Sequence, residues 1–419
     1  KVMGSAVSKR REKDKNYLLQ TLDEHEAGIN CMVLSEDGSV LATGSDDHSI
    51  RLWSAKTDLV ECIGILTGHQ DYVTCIIIEE NFLISASADK TLRKWDMSLC
   101  QCLFIFTGHT SLISRVICTG DFIFSTSYDR TARCWDIDSG TCVRVFRGHK
   151  HGVLPILFVP SEQDEADLLD DEIDIYTKDV IITGSQDNTA KSWSFESGEC
   201  LKTFKGHTAA ILCLTTDRQG KLLFTGAADN FIRCWDIFRG NELRVFEAHS
   251  GSIINVVVIN KLLFSSSSDH TVRCFVTEFG DCTRVYKGHK HTVSCLQVKN
   301  GLVYTGCGDA FVRCFDARSG ILKRTFKSHT LAVSAMETTK DRLFSGSVDG
   351  TLKVWDIATL KPDTVETTQL PVKKPDTNKL DPNSSMNSSQ GRNLNTDKRS
   401  DVDSGIDERE FRDRAHDMV

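Results

Sequence analysis

The sequence predicts an all-β chain folded as a propeller of eight four-stranded blades, and three registers carry that expectation. A histidine recurs at positions 25, 69, 109, 149, 207, 249, 289 and 329, a repeat of 40 to 44 residues broken by one step of 58. An aspartate (Asp47, Asp89, Asp129, Asp187, Asp229, Asp269, Asp309, Asp349) stands six residues before an aromatic in every unit: Trp53, Trp95, Trp135, Trp193, Trp235, Phe275, Phe315 and Trp355. Four residues before each aspartate stands a hydroxyl: Thr43, Ser85, Ser125, Thr183, Thr225, Ser265, Thr305 or Ser345. A repeat of this length is one supersecondary unit that cannot bury both faces alone, so it stacks on copies of itself.

Residues 1–16 read as a flexible basic N-terminus, with Lys9, Arg10, Arg11, Lys13 and Lys15 close together. The segment 17–22 stands before His25 as 141–146 stands before His149, so it supplies a fourth-type strand without a blade of its own. It is expected to complete the last blade, pairing the two ends of the ring and removing an open sheet edge. After each histidine comes an apolar segment such as 73–78, then a second ending in Ser or Thr, a turn at Asp, and a third ending in the aromatic. A fourth segment leads to the next histidine, which makes four short strands per period over 17–357.

Two stretches break the pattern. In the fourth unit 44 residues separate His149 from Trp193, against 26 from His109 to Trp135. An insertion at 160–178 is therefore expected between its first and second strands, and its Glu162, Asp164, Glu165, Asp167, Asp170, Asp171, Glu172 and Asp174 read as a solvated acidic loop. Residues 358–419 are rich in Pro, Ser, Asn, Asp and Lys and read as a disordered tail.

With 50 basic and 58 acidic residues the formal charge is −8, and no basic stripe interleaved with aromatics appears, so nucleic acid is not the expected partner. No apolar run reaches the length of a membrane span, and the basic N-terminus is not followed by a hydrophobic region, so a cytoplasmic location is expected. The 16 cysteines include no C-x-x-C pair, and neither zinc nor another cofactor is called for. Most fall into three columns that read as small apolar strand residues: Cys62, Cys102, Cys142, Cys200 and Cys282; Cys31, Cys75, Cys213 and Cys295; Cys134, Cys234, Cys274 and Cys314.

His109, Ser125, Asp129 and Trp135 invite a hydrolase reading, since a hydroxyl activated by an oriented histidine is the nucleophile of acyl transfer. Repetition argues against it: eight equivalent sets around a ring specify no single cleft. The quartet reads instead as a structural network in which Asp accepts from His, His meets the hydroxyl, and the hydroxyl meets the indole N–H. A base stands two residues before each aromatic (Arg51, Arg93, Arg133, Lys191, Arg233, Arg273, Arg313, Lys353), expected to lay its stem over a neighbouring strand with its charge in water.

Gly-His at 68–69, 108–109, 148–149, 206–207 and 288–289, with Trp-Asp at 95–96, 135–136, 235–236 and 355–356, resembles the WD40 repeat family over about residues 17–357. The resemblance implies a non-enzymatic scaffold, a monomeric propeller that presents one face to protein or peptide partners. The family's contact positions lie three and five places after each histidine and one before each aspartate. Carried across, they are Asn30, Asp46, Tyr72, Thr74, Leu112, Ser114, Tyr128, Leu154, Gln186, Leu212 and Ile254. The alternative is a substrate-recognition subunit of a ubiquitin ligase. For that role, the roughly 16 residues before the first strand leave no room for an adaptor-binding helical domain.

One short motif points to the membrane surface. The residues from Met3 to Ser8 fit M-G-x-x-x-[ST] for N-myristoylation at Gly4, and the basic run that follows supplies the second signal a single acyl chain needs. The expectation requires Met3 to be the start.

Overall fold

The computed structural model describes residues 17–161 and 179–363, so Gly4, most of the acidic insertion and nearly all of the tail lie outside the described residues. Among the described residues thirty-two strands, numbered β1 to β32 along the chain, form eight four-stranded antiparallel sheets arranged as a ring. Blade 3 is typical. Its strands β10 (Ile113–Thr119), β11 (Phe122–Ser127), β12 (Thr131–Asp136) and β13 (Cys142–Arg147) pair in simple succession from the innermost to the outermost.

The ring closes as expected. Strand β1 (Leu18–Leu22) pairs antiparallel with β32 (Leu352–Asp356), placing Leu22 against Leu352 and Leu18 against Trp355, in the sheet order β1-β32-β31-β30. Blade 8 thus takes its outer strand from one end of the chain and its other three from the far end. In blade 4, β14 (Val153–Val159) pairs with β15 (Val180–Ser185) on either side of the insertion, so the added residues leave the sheet register intact.

The core lies between blades. Ile84, Leu92 and Phe106 of blade 2 pack with Ile113, Ile123 and Trp135 of blade 3, and comparable clusters recur around the ring. Among the cysteines, Cys134, Cys234, Cys274 and Cys314 are buried strand residues as expected, whereas Cys102, Cys142, Cys200 and Cys282 are exposed. These four sit on outer strands, where a period-two pattern still holds but one face looks out of the ring.

Every innermost strand carries a register shift at the residue five places after the histidine, the site of Asn30, Thr74, Ser114, Ser294 and Ser334. An extra residue in a strand re-aims its side chain, and here it aims at the next blade. Asn30 Nδ2 donates to Val73 O (3.1 Å), Thr74 Oγ1 to Ile113 O (2.7 Å) and Ser114 Oγ to Val153 O (2.7 Å). Ser294 donates to Val333 O, and Ser334 to Ile29 O, which carries the series across the closure. At this position blades 4, 5 and 6 carry Leu154, Leu212 and Ile254, which have no hydroxyl or amide to give.

Candidate functional site

The quartet is a buried relay. In blade 3, Trp135 Nε1 donates to Ser125 Oγ (2.9 Å), Ser125 Oγ lies 2.8 Å from His109 Nε2, and His109 Nδ1 lies 2.7 Å from Asp129 Oδ2. These distances fit one neutral tautomer: Nδ1–H donates to the carboxylate and Nε2 accepts from the hydroxyl, so every polar atom has a partner. Asp129 also receives the N–H of Thr110 (3.1 Å) and, at Oδ1, the N–H (2.9 Å) and hydroxyl (2.6 Å) of Thr131. Although burial alone raises its pKa, the bonds from His109 and Thr131 hold the carboxyl well below the usual carboxylate range. Burial pushes the pKa of His109 down, with Asp129 pulling the other way. A neutral histidine, an ionised aspartate and a hydroxyl that already receives the indole N–H make a stitch between strands.

Units six and seven depart from this pattern differently. Blade 6 keeps His249 to Asp269 (2.7 Å) and His249 to Ser265 (2.8 Å) but has Phe275 where the indole would be. Blade 7 is rewired. Arg313 grips Asp309 with both terminal nitrogens (3.0 and 2.7 Å), and the buried His289 Nδ1 has no hydrogen-bond partner among the described residues. The expectation that every base in this column keeps its charge in water therefore fails at Arg313 and also at Lys353, both of which are buried, the latter with its Nζ donating to Thr21 Oγ1 (3.3 Å). Two residues after the aspartate a hydroxyl (Ser49, Thr91, Thr131, Thr189, Thr271, Thr351) caps Oδ1 in six blades. Blade 7 has Phe311 there and Phe315 in place of the tryptophan, and with both the hydroxyl and the indole gone its carboxylate takes the guanidinium. Blade 5 also has a phenylalanine there, Phe231, yet it keeps Trp235 and the contact between His207 and Asp229 (2.8 Å).

A stability comparison follows from blade 6. Removing Ser125 strands both an indole donor and a histidine nitrogen, whereas removing Ser265 strands the histidine nitrogen alone. Ser125→Ala is expected to cost about 1 kcal/mol more than Ser265→Ala, and equal shifts in the urea midpoint would contradict the relay.

The two outer columns of candidate contact residues meet on one face. The N–H of the residue before each aspartate donates to the carbonyl three places after the histidine: Asp46 to Gly28, Ala88 to Tyr72, Tyr128 to Leu112 and Gln186 to Gly152. Tyr72 and Tyr128 are 36% and 40% exposed, large for aromatics in a folded domain. The Tyr128 ring leans over blade 4, where a Cβ at Gly152 would stand 3.2 Å from it and 2.9 Å from Gln186 Oε1. Leu112, Tyr128, Gly152 and Gln186 therefore form one continuous patch across two blades. Leu112, Leu154, Leu212 and Ile254 are half-buried, and Asp46 and Gln186 are exposed. Asn30, Thr74 and Ser114 spend their polar atoms on the neighbouring blade, with Asn30 also donating to Asp46 Oδ1 (2.6 Å). Sequence reasoning passed over Leu331 and Val348 of blade 8, 51% and 46% exposed, although Val348 stands just before Asp349 and the same register reaches it.

Comparison with known proteins agrees with this geometry. The model of the WD domain, G-beta repeat, matches residues 16–54, 60–96, 100–136, 198–236, 240–275, 280–316 and 320–356. The unmatched stretch is the unit whose first two strands are separated by the insertion. WD repeat-containing protein 86 of Homo sapiens is 48% identical over 207 residues, covering 49% of this chain and 54% of that protein. Mitochondrial division protein 1 of Saccharomyces cerevisiae is 30% identical over 100 residues, 20% of this chain and 14% of that protein. The matched region thus spans about half of the human relative and far less of the yeast one. Among solved structures, the computationally designed Ika8 protein superposes with a TM-score of 0.71 at 26% identity, covering 81% of this chain and 99% of that one. With seven matched repeats, eight blades and the relay in place, this chain belongs to the WD40 repeat family.

Proposed function

We propose that the protein is a non-enzymatic interaction platform whose partner-binding face is centred on blades 3 and 4. The observation that carries this reading is the patch of Leu112, Tyr128, Gly152 and Gln186, where an exposed tyrosine is held over a glycine by the blade beneath it. A fixed aromatic beside half-buried aliphatics and a free amide is the composition of a peptide-binding hot spot, with little side-chain entropy left to lose. Tyr72 and Leu154 extend the patch on either side, and WD40 propellers in general bind proteins or peptides.

A lipid tether at Gly4 and a cytoplasmic site of action at a membrane surface belong to the same proposal and rest on the N-terminal motif alone. One experiment tests both parts: affinity purification with mass spectrometry of the wild type, Gly4→Ala, and the triple variant Tyr72→Ala, Leu112→Ala, Tyr128→Ala. The triple variant is expected to lose its protein partners while melting within a few degrees of wild type. Gly4→Ala is expected to lose the membrane fraction and the acyl mass on Gly4. An unchanged partner list for a folded triple variant sinks the blade 3–4 face, and a wild-type Gly4 without acyl mass sinks the tether.

A further inference from the structure

Among the described residues the outermost strand of each blade is an open sheet edge, and the residue at its centre separates two sectors of the ring. In blades 3 to 7 that residue is Arg144, Lys202, Arg244, Arg284 or Arg324. Each reaches the next blade. Arg144 Nε donates to Glu196 O (3.1 Å), Arg324 Nη1 to Asp356 O (2.9 Å), Arg244 to Thr277 O and Arg284 to Arg318 O, while the Lys202 stem lies over Gly240. Blade 8 uses Gln20, whose amide exchanges two bonds with the Val60 backbone (3.1 and 2.7 Å). These side chains clamp neighbouring blades and also place charge or polarity on the edge, the usual guard against strand addition.

Blades 1 and 2 lack the guard. Their outer strands are β5, Cys62–Leu66 (CIGIL), and β9, Gln101–Phe106 (QCLFIF), and neither contains a charged residue. The clamp is replaced by apolar contact: Gly64 sits against Cys100 Sγ, and the Phe104 ring fills the space over Gly140. The opposite face carries exposed aliphatics, Leu103 (52%) and Ile105 (45%) on β9 and Ile63 and Ile65 on β5. Uncharged segments of this length, without proline and rich in aromatic and β-branched residues, are those that pair most readily with another strand.

The sequence of β9 suits a copy of itself. Antiparallel pairing about a two-fold axis at Phe104 sets Leu103 against Ile105 of the second copy, Cys102 against Phe106, and Phe104 against Phe104. Like charges never meet. The same operation on blades 3 to 7 would bring Arg144, Lys202, Arg244, Arg284 or Arg324 against its own symmetry mate, and like charges directly opposite destabilise a sheet. We propose that β9 is a self-association edge, through which two copies of this chain pair into a continuous sheet across an isologous two-fold interface. It departs from the monomer that the family resemblance implies, and it leaves the face around Tyr128 free.

Analytical ultracentrifugation across a concentration series tests this. The wild type is expected to show a reversible dimer with a Kd in the micromolar range of modest interfaces. Leu103→Lys puts a charge at a position already exposed, and Phe104→Arg installs the residue that blade 3 uses at the same site. Each is expected to weaken the dimer about tenfold or more with the melting temperature of Leu103→Lys unchanged. A wild type that stays monomeric at high micromolar concentration overturns the proposal. So does a dimer that survives both variants, or one abolished by Ile63→Lys alone, which would move the contact to β5.

Discussion

Trp135→Ala is expected to cost about 3–5 kcal/mol of stability, read as a fall in the urea midpoint with the mean residue ellipticity of the native baseline retained. Three losses add. The indole is 1% exposed and stands edge-on to Phe106 of the preceding blade with ring centroids 5.9 Å apart, so its removal opens a cavity between blades 2 and 3. The Ser125 hydroxyl loses its donor, and Arg133, whose guanidinium carbon lies 5.8 Å from the indole centroid, loses the ring it covers. Trp135→Phe separates these terms, because it reproduces the arrangement around Phe275, which packs on Phe246 at 5.5 Å without an indole N–H. It is expected to recover most of the loss, leaving a deficit near the worth of one hydrogen bond, about 1 kcal/mol. Equal destabilisation by the two substitutions would mean that the indole bond, and not the filled volume, stitches the blades.

The eight blades are legible in the sequence because the residues that build them are polar, buried and obliged to meet. A histidine, a hydroxyl and an aspartate that satisfy one another must keep their spacing, whereas a leucine in the core can be exchanged for a valine or a cysteine. The closure is legible for a similar reason, since a fourth-type strand with no blade of its own has one open edge to join. What escaped prediction depends on where a side chain is aimed. Nothing in the order of residues says that Asn30, Thr74 and Ser114 sit on bulges and donate to the next blade; as contact positions carried over from a family they look free. Arg313 was obscured by the regularity of its own column, although Phe311 and Phe315 both break the pattern nearby and together remove a hydroxyl and an indole from that site. The patch at Tyr128 becomes visible only when Gly152, a residue with no side chain to notice, is seen to lie beneath the ring.

Acidification from pH 7 to about 4.5 is expected to weaken the propeller through the buried His289 of blade 7 and His329 of blade 8 before the aspartates take up protons. Burial first, and then the Arg313 guanidinium, push the pKa of His289 down to about 4, against the pull of Asp309. In the unfolded chain the same group titrates near 6.5. Between these values the native state binds fewer protons than the unfolded chain, so stability must fall as the pH falls. The contribution from a neutral His289 is complete above about pH 6.5 and gone near pH 4, a loss of about 3 kcal/mol at about 1.4 kcal/mol per unit. His329, whose pKa burial also pushes down to about 4, adds in the same direction. The aspartates act later: carboxyls such as Asp129 and Asp187, held below the ordinary range, lose their contribution only as the pH drops below about 4. Two variants isolate the share of blade 7. His289→Gln keeps a polar amide to meet Thr305 Oγ1, 2.8 Å from Nε2 in the wild type, but cannot become charged, so its melting temperature is expected to fall less steeply over this window. Arg313→Met frees Asp309 to accept from His289 Nδ1 as its counterparts do elsewhere, which raises the histidine pKa and flattens the same slope at some loss of stability at pH 7. Parallel melting curves for all three proteins between pH 7 and 4.5 would exclude His289 as the group that titrates.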